Sequence, residues 1–272
     1  MRVVLLTSNA IRHKYVANHL ANHLANHLAN HLADSIEEFL VISESKKNDS
    51  LSTEEIISSE IDQHFFERFK TEQKFFSNND YFSCNVVPVL HNETNLSYVY
   101  DIIKKFNPDL IIAFGTSIIK EPLLSLLKPG RFINLHLGLS PYYRGSGTNF
   151  WPFVNNELEY VGSTILHIDP GVDTGDIVTH VLPKIEIGDN VHAIGCKVIK
   201  ESVKKLIACI EIIKRDELLP RTKQWKISDS KYYKMADFTI ESLQKYHQNL
   251  KSKMIEHFLI NKNNNLKLIL SI

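Results

Sequence analysis

Leu110-Ile111-Ile112-Ala113-Phe114 and Phe132-Ile133-Asn134-Leu135 are two short apolar runs, and between them the chain turns at Lys128-Pro129-Gly130. Runs of this length, apolar on both faces and rich in β-branched side chains, read as strands covered by helices above and below. Outward from this pair, the same kind of run recurs at residues 3–7, 39–43 and 86–90. Helical spacing fills the gaps, at residues 11–32, 53–76, 96–106 and 119–127, the last of them stopped by Pro129 and Gly130. Strand and helix in alternation predict an α/β fold, a mostly parallel sheet with helices on both faces.

After residue 158 the pattern changes. Residues 160–168 and 177–183 alternate as strands do and are joined by a tight segment holding Pro170, Gly171 and Gly175, which predicts a hairpin-like excursion. A long amphipathic helix is expected over residues 190–215. Beyond Pro220 the composition turns polar, one further helix is expected over residues 238–258, and a Lys- and Asn-rich tail follows. The division is therefore a main domain over residues 1–217 and a small helical appendage over residues 218–272.

Lys plus Arg equals Asp plus Glu at 31 each, so no long-range positive field gathers polyanions and no nucleic-acid partner is expected. The apolar run at residues 3–7 is too short for a signal-peptide core, and no other uninterrupted apolar stretch approaches the roughly 20 residues that span a bilayer. A soluble, cytoplasmic protein without a membrane partner is the expectation. Cys84, Cys196 and Cys209 are far apart and form no CxxC pair, so neither a disulfide framework nor a thiolate metal site is expected of them.

The unit Ala-Asn-His-Leu occurs four times in succession from Ala17 to Leu32. A four-residue period overruns the helical turn by about 40° per unit, so His19, His23, His27 and His31 wind slowly around a helix instead of sharing one face. Histidines four apart have the reach of a metal pair, but no carboxylate or Cys accompanies them in the repeat. The expectation is a helix lengthened by about one turn per unit, with the Leu members buried.

Polar and turn-forming residues inside an apolar frame are densest from Asn134 to Gly175. Asn134 and His136 stand two apart at the end of an expected strand, so their side chains leave the same side of the sheet. The carboxyl ends of strands in open α/β sheets form the crevice where ligands bind. The loop over residues 138–147, with Pro141, Arg144, Gly145 and Gly147, is expected to be neither strand nor helix. Asp169 and Asp173 then lie in a turn whose composition can hold a carboxylate over that crevice. Spacing alone leaves a hydrolase, an ion-binding site and an inert loop open.

Asn134-Leu-His136, Pro141-Tyr-Tyr-Arg144-Gly145, Gly162-Ser-Thr164 and Asp169-Pro-Gly171-Val-Asp173-Thr-Gly175-Asp-Ile177 resemble the folate-dependent formyltransferase superfamily, over about residues 3–213. That superfamily acts on glycinamide ribonucleotide, methionyl-tRNA and nucleotide-linked amino sugars. The resemblance implies a Rossmann-like formyltransferase fold and a catalytic domain over residues 1–217. It also implies 10-formyltetrahydrofolate as co-substrate and Asn134, His136 and Asp173 as the catalytic side chains, with no metal. By the same resemblance the pterin lies against Leu110, Ile111, Ile112, Ala113, Phe114, Gly115, Ile118, Ile119 and Leu139, with Asp169, Gly171 and Val172 from the turn. Tyr142, Arg144 and Gly145 are implied at the acceptor. Gly138 stands where many relatives carry Ser, Ser140 where they carry Leu, and Ser140-Pro141 resembles a bond that is often cis in the family.

Three acceptors compete. A glycinamide ribonucleotide enzyme is expected to carry a glycine-rich phosphate cradle after the first strand, where this chain has Thr7-Ser-Asn-Ala-Ile-Arg12. A methionyl-tRNA enzyme is expected to carry a basic β-barrel after the catalytic domain, whereas residues 220–272 read as helical. The expected acceptor is therefore the primary amine of a nucleotide-linked amino sugar, and a homodimer stays open. Phe150, Trp151, Tyr142 and Tyr143 have the chemistry to stack on a base or sugar, with burial of Phe150 and Trp151 in the core the stronger expectation. Two rivals remain: a 10-formyltetrahydrofolate hydrolase, whose relatives place a further domain before the first strand, and a catalytically inactive binding module on the same fold.

Overall fold

A computed structural model describes residues 1–28, 39–45, 59–261, 266–270 and 272. Strand β1 (Val3–Ser8) leads into helix α1 (Ile11–Leu28), β2 (Phe39–Ser45), α2 (Glu60–Phe75), β3 (Asn85–Leu90), α3 (Ser97–Phe106), β4 (Leu110–Ala113) and β5 (Phe132–His136). These five strands run parallel in the order β3-β2-β1-β4-β5, as the alternation of runs predicts. The expected helical residues 29–32 and 53–58 lie outside the described residues, as do His31 and the side chain of His27. β6 (Tyr143–Gly145) and a single helical turn, α4 (Trp151–Val154), follow, and then the expected hairpin, β7 (Ser163–His167) with β8 (Ile177–Val181). The hairpin adds antiparallel to β5 and completes a seven-stranded sheet. Helix α5 (Val191–Lys214) covers one face and starts at Asn190, whose side chain accepts from the backbone N–H of His192 and Ala193.

Three expectations require correction. No long helix spans residues 119–127; only a 3-10 turn, Leu123–Ser125, forms there. Pro122 supplies no N–H and bars the helical conformation of the residue before it, and Glu121 spends its carboxylate on the N–H and hydroxyl of Ser125. The single helix expected over residues 238–258 is two, α6 (Ile240–Lys251) and α7 (Met254–Ile260), broken where Lys253 adopts a left-handed backbone at φ 57°. The loop over residues 138–147 is not free of strand: β6 pairs in parallel with β9 (Lys231–Tyr233), a strand that polar composition conceals.

The core divides by sheet face. Val3, Leu5, Leu110, Ile112, Ile133 and Leu135 pack with α1 and α5, and Val4, Leu6, Ile111, Ala113 and Phe132 with α3. A third cluster joins Tyr143, Phe150, Trp151 and Phe153 to Leu243, Tyr246, Met254 and Ile255 of α6 and α7, so residues after 218 are built onto the loop that follows β5. Burial of each such side chain stabilises the fold by about 1.5–3 kcal/mol. Within the repeat, Leu20 and Leu24 are buried as expected, Asn18 bonds Asn79 and the Tyr81 carbonyl, and His23 meets the Glu211 carboxylate at 2.8 Å. The carboxylate that the repeat lacks thus arrives from α5. Cys196 and Cys209 are buried, Cys84 is half-buried, and all three are free thiols. No helix among the described residues is long and apolar enough to cross a membrane.

Candidate active site

Strand alternation sends Asn134 and His136 to the same face at the carboxyl end of β5. The turn between β7 and β8 brings Asp173 over that end, with its backbone left-handed at φ 54°, a conformation that Asp tolerates better than most residues. The Asp173 carboxylate receives three groups: His136 Nδ1 at 3.2 Å, Asn134 Nδ2 at 3.3 Å and the backbone N–H of Gly145 at 3.1 Å. His136 and Asp173 retain only 6% and 11% of their side-chain exposure, so the contact is largely shielded from water. The other ring nitrogen of His136, Nε2, donates to the backbone carbonyl of Tyr143 at 3.0 Å. Both ring nitrogens therefore face acceptors, which fixes the plane of the ring.

Glycine permits two of these approaches. A Cβ on Gly138 would stand 2.5 Å from His136 Nε2 and 2.7 Å from Thr148, and one on Gly145 would stand 2.1 Å from the Tyr233 carbonyl. The loop is held from below by Thr164, whose hydroxyl donates to the Gly138 carbonyl at 2.6 Å and accepts from the Ser140 N–H at 2.9 Å. His180, fully buried, donates from Nε2 to the Ser140 carbonyl at 2.7 Å, and burial pushes its pKa down. The Ser140–Pro141 peptide is cis. The phenol of Tyr143 is buried against Glu157 and Asn155, and burial holds its pKa above the ordinary value.

The other residues singled out in the sequence are distributed unequally. The side chains of Leu110, Ile111, Ile112, Ala113 and Phe114 are buried in the two sheet-face clusters, which leaves only their backbone for a ligand. Ile119 and Leu139 are buried as well, whereas Ile118 is 63% exposed and Gly115, at φ 68°, is exposed on its solvent side. Asp169 accepts from the Gly171 N–H and the Thr174 hydroxyl and so shapes the turn below Asp173, with Gly171 exposed and Val172 half-buried. Arg144 is half-buried, and its Nε has no hydrogen-bond partner among the described residues. Tyr142 packs on Tyr160 and Trp225 and donates to the Lys267 carbonyl, and Phe150 and Trp151 are core, with Trp151 stacked on Tyr233 at 4.1 Å.

One contributor was beyond sequence reasoning. Gln224 donates from Nε2 to the carbonyls of Asp173 at 2.8 Å and Gly175 at 2.9 Å, clamping the turn from the appendage side. It sits in a polar stretch with no periodicity, so nothing local marks it. Thr164 was visible within Gly162-Ser-Thr164, but its two partners were not.

A doubly wound sheet whose carboxyl edge gathers an amide, an imidazole and a carboxylate defines an α/β protein with an Asn–His–Asp cluster at the carboxyl end of β5. Residues 3–210 match the formyl transferase family profile, and the chain belongs to that family. It is 32% identical to the methionyl-tRNA formyltransferase of Desulforamulus reducens over 131 residues, 48% of this chain and 41% of that one. To the corresponding enzyme of Clostridium tetani it is 32% identical over 161 residues, 58% of this chain and 49% of that one. The chain thus spans about half the length of the curated relatives it matches. Among solved structures, the sugar 3N-formyl transferase WlaRD, crystallised with dTDP and 5-N-formyl-THF, superposes at a TM-score of 0.52 with 23% identity, covering 88% of this chain and 71% of that one. The phosphoribosylglycinamide formyltransferase of Anaplasma phagocytophilum does so at 0.52 with 13% identity, covering 86% and 97%. At these identities the likeness shows the fold.

Proposed function

We propose that this protein transfers a formyl group from 10-formyltetrahydrofolate to a primary amine, with Asn134, His136 and Asp173 at the reacting carbon. The observation that carries the proposal is the convergence of all three on one point, through two contacts to a single shielded carboxylate. Attack of the amine on the formyl carbon places negative charge on oxygen and positive charge on nitrogen. Asn134 holds Asp173 with one Nδ2 proton, and the other is the one that meets the oxyanion. A donor at such a position contributes on the order of 3 kcal/mol. His136 donates a hydrogen bond from its Nε2 N–H to the same oxygen once it releases the Tyr143 carbonyl, and keeps that proton. Asp173 orients that ring throughout. Collapse breaks the bond from the formyl carbon to the folate nitrogen, and the proton lost by the amine ends on that nitrogen.

The pterin is assigned to the crevice edged by the backbone of Leu110, Ile111, Ile112, Ala113, Phe114 and Gly115, with Ile118, Ile119, Leu139, Asp169, Gly171 and Val172 around it. Tyr142, Arg144 and Gly145 are assigned to the acceptor side, on the β6 loop that the appendage pairs with through β9. The acceptor is a nucleotide-linked amino sugar. Equal numbers of acidic and basic residues support it over a tRNA, and so do the sugar N-formyltransferases among the superposing structures. The sequence relatives support methionyl-tRNA instead, which makes it the first competitor to test. We further propose that residues 1–217 are the catalytic domain, that residues 218–272 are its appendage, and that the protein works in the cytoplasm.

The test is an acceptor screen with the full chain and 10-formyltetrahydrofolate, following release of tetrahydrofolate. The expected result is turnover with a nucleotide-linked amino sugar and none without amine. Turnover with methionyl-tRNA or glycinamide ribonucleotide alone replaces the acceptor. Turnover without any amine makes the protein a hydrolase, and folate binding without any turnover makes it a binding module.

A further inference from the structure

A second polar cluster lies at the same edge of the sheet, on the far side of β1. Glu44, near the end of β2, is fully buried. Its Oε1 accepts from the Thr94 hydroxyl at 2.6 Å, and its Oε2 accepts from both the backbone N–H and the hydroxyl of Ser117 at 2.9 Å. His91 Nδ1 stands 3.9 Å from Oε2 on a half-exposed ring. A carboxylate removed from water is costly unless its oxygens are satisfied, so such an acid needs a reason to be there. What it grips is the loop after β4. Asn95, in the 3-10 turn after β3, grips the same loop further on: Nδ2 donates to the Ile118 carbonyl at 2.9 Å, and Oδ1 accepts from the Lys120 N–H at 2.8 Å.

Between these grips stands Ile118, 63% exposed. At the other end of the loop, Gly115 is seated so closely that a Cβ would lie 2.3 Å from His13 Cε1, and His13 bonds the Thr7 hydroxyl, which donates to the Phe114 carbonyl. An apolar side chain left in water on backbone pinned from both sides is a preorganised contact surface, since the ordering cost of that backbone falls on folding and not on binding.

We propose that Glu44 and Asn95 are positioning residues for the folate, locking residues 117–120 so that Ile118 and its backbone meet the pterin face. The inference rests on the folate crevice proposed above. The experiment measures binding of 5-formyltetrahydrofolate by calorimetry, together with thermal stability, for the full chain and its Glu44→Ala, Glu44→Gln and Asn95→Ala variants. Glu44→Ala and Asn95→Ala are expected to weaken binding about tenfold, while Glu44→Gln, which keeps an oxygen for the Ser117 N–H, stays within about threefold. Asn95→Ala is expected to keep a melting temperature close to that of the parent, and Glu44→Ala to have a lower one, because it leaves the Thr94 and Ser117 donors without their acceptor. With an accepted amine in hand, the losses fall on KM for the folate and leave kcat near the parent value. Should Glu44→Ala fail to fold, Asn95→Ala, at a half-buried surface position, decides alone. Folate affinity unchanged in Asn95→Ala overturns the positioning role and leaves the crevice standing. A parent protein that binds no folate overturns both.

Discussion

His136 is satisfied twice over as the chain stands, by Asp173 on one nitrogen and the Tyr143 carbonyl on the other. A ring held this way is oriented, and it must exchange a backbone acceptor for a substrate oxygen to act. Asn134→Ala and His136→Ala are therefore each expected to lower kcat by about 10²- to 10³-fold while calorimetric folate affinity stays near the parent value. Equal losses of folate affinity and turnover in both variants would assign the pair to binding instead. The type and order of these side chains were legible in the sequence, because alternation along β5 puts residues two apart on one face. Their partners were less so. Gln224 and the Tyr143 carbonyl reach the site from segments whose local pattern says nothing of it, and Gly138 is explained only by the 2.5 Å that a Cβ would leave to His136.

At the scale of elements, periodicity and caps were readable where a segment's own residues decide its conformation. Asn190 is such a case: its side chain accepts from His192 N at 3.1 Å and Ala193 N at 2.9 Å, opening α5. Asn190→Ala is expected to cost about 1 kcal/mol, read as a lower midpoint in urea unfolding with unchanged slope. A midpoint equal to the parent's would show that tertiary packing alone starts the helix. The failures lie where one residue overrules a window. Pro122 ends the expected helix over residues 119–127 before it begins, and Lys253, at φ 57°, divides α6 from α7. β6 and β9 are three residues each, too short for alternation to register, and they exist because each supplies the other's hydrogen bonds.

Over the whole molecule, the joint between α2, α5 and the appendage is closed by His64 and His192. Their rings are 4.5 Å apart among Phe65, Phe150, Phe238 and Tyr246. Burial, with Arg68 and His247 nearby, lowers the pKa of His64 from 6.5 to about 4, and burial with the charge of His64 lowers that of His192 to about 2. Folded pKa values below the unfolded one mean that the unfolded chain binds protons first as pH falls. The stabilisation is thus present above pH 6.5 and is lost progressively toward pH 4, by roughly 3 kcal/mol for His64. His64→Phe, which suits its aromatic neighbours, is expected to retain more of its neutral-pH stability in urea unfolding at pH 5 than the parent does; an identical decline in both would exclude this joint as the source. Composition and the spacing of apolar runs were enough to determine the α/β class, the parallel order of strand and helix, and the identity of the polar residues at the sheet's edge, because those follow from each segment burying its own apolar face. Which of those polar groups share a carboxylate, which loop Glu44 and Asn95 hold, and how the appendage closes on β6 were decided by the tertiary structure alone. Such contacts join residues far apart in the chain, and only the folded packing brings their atoms within hydrogen-bonding distance.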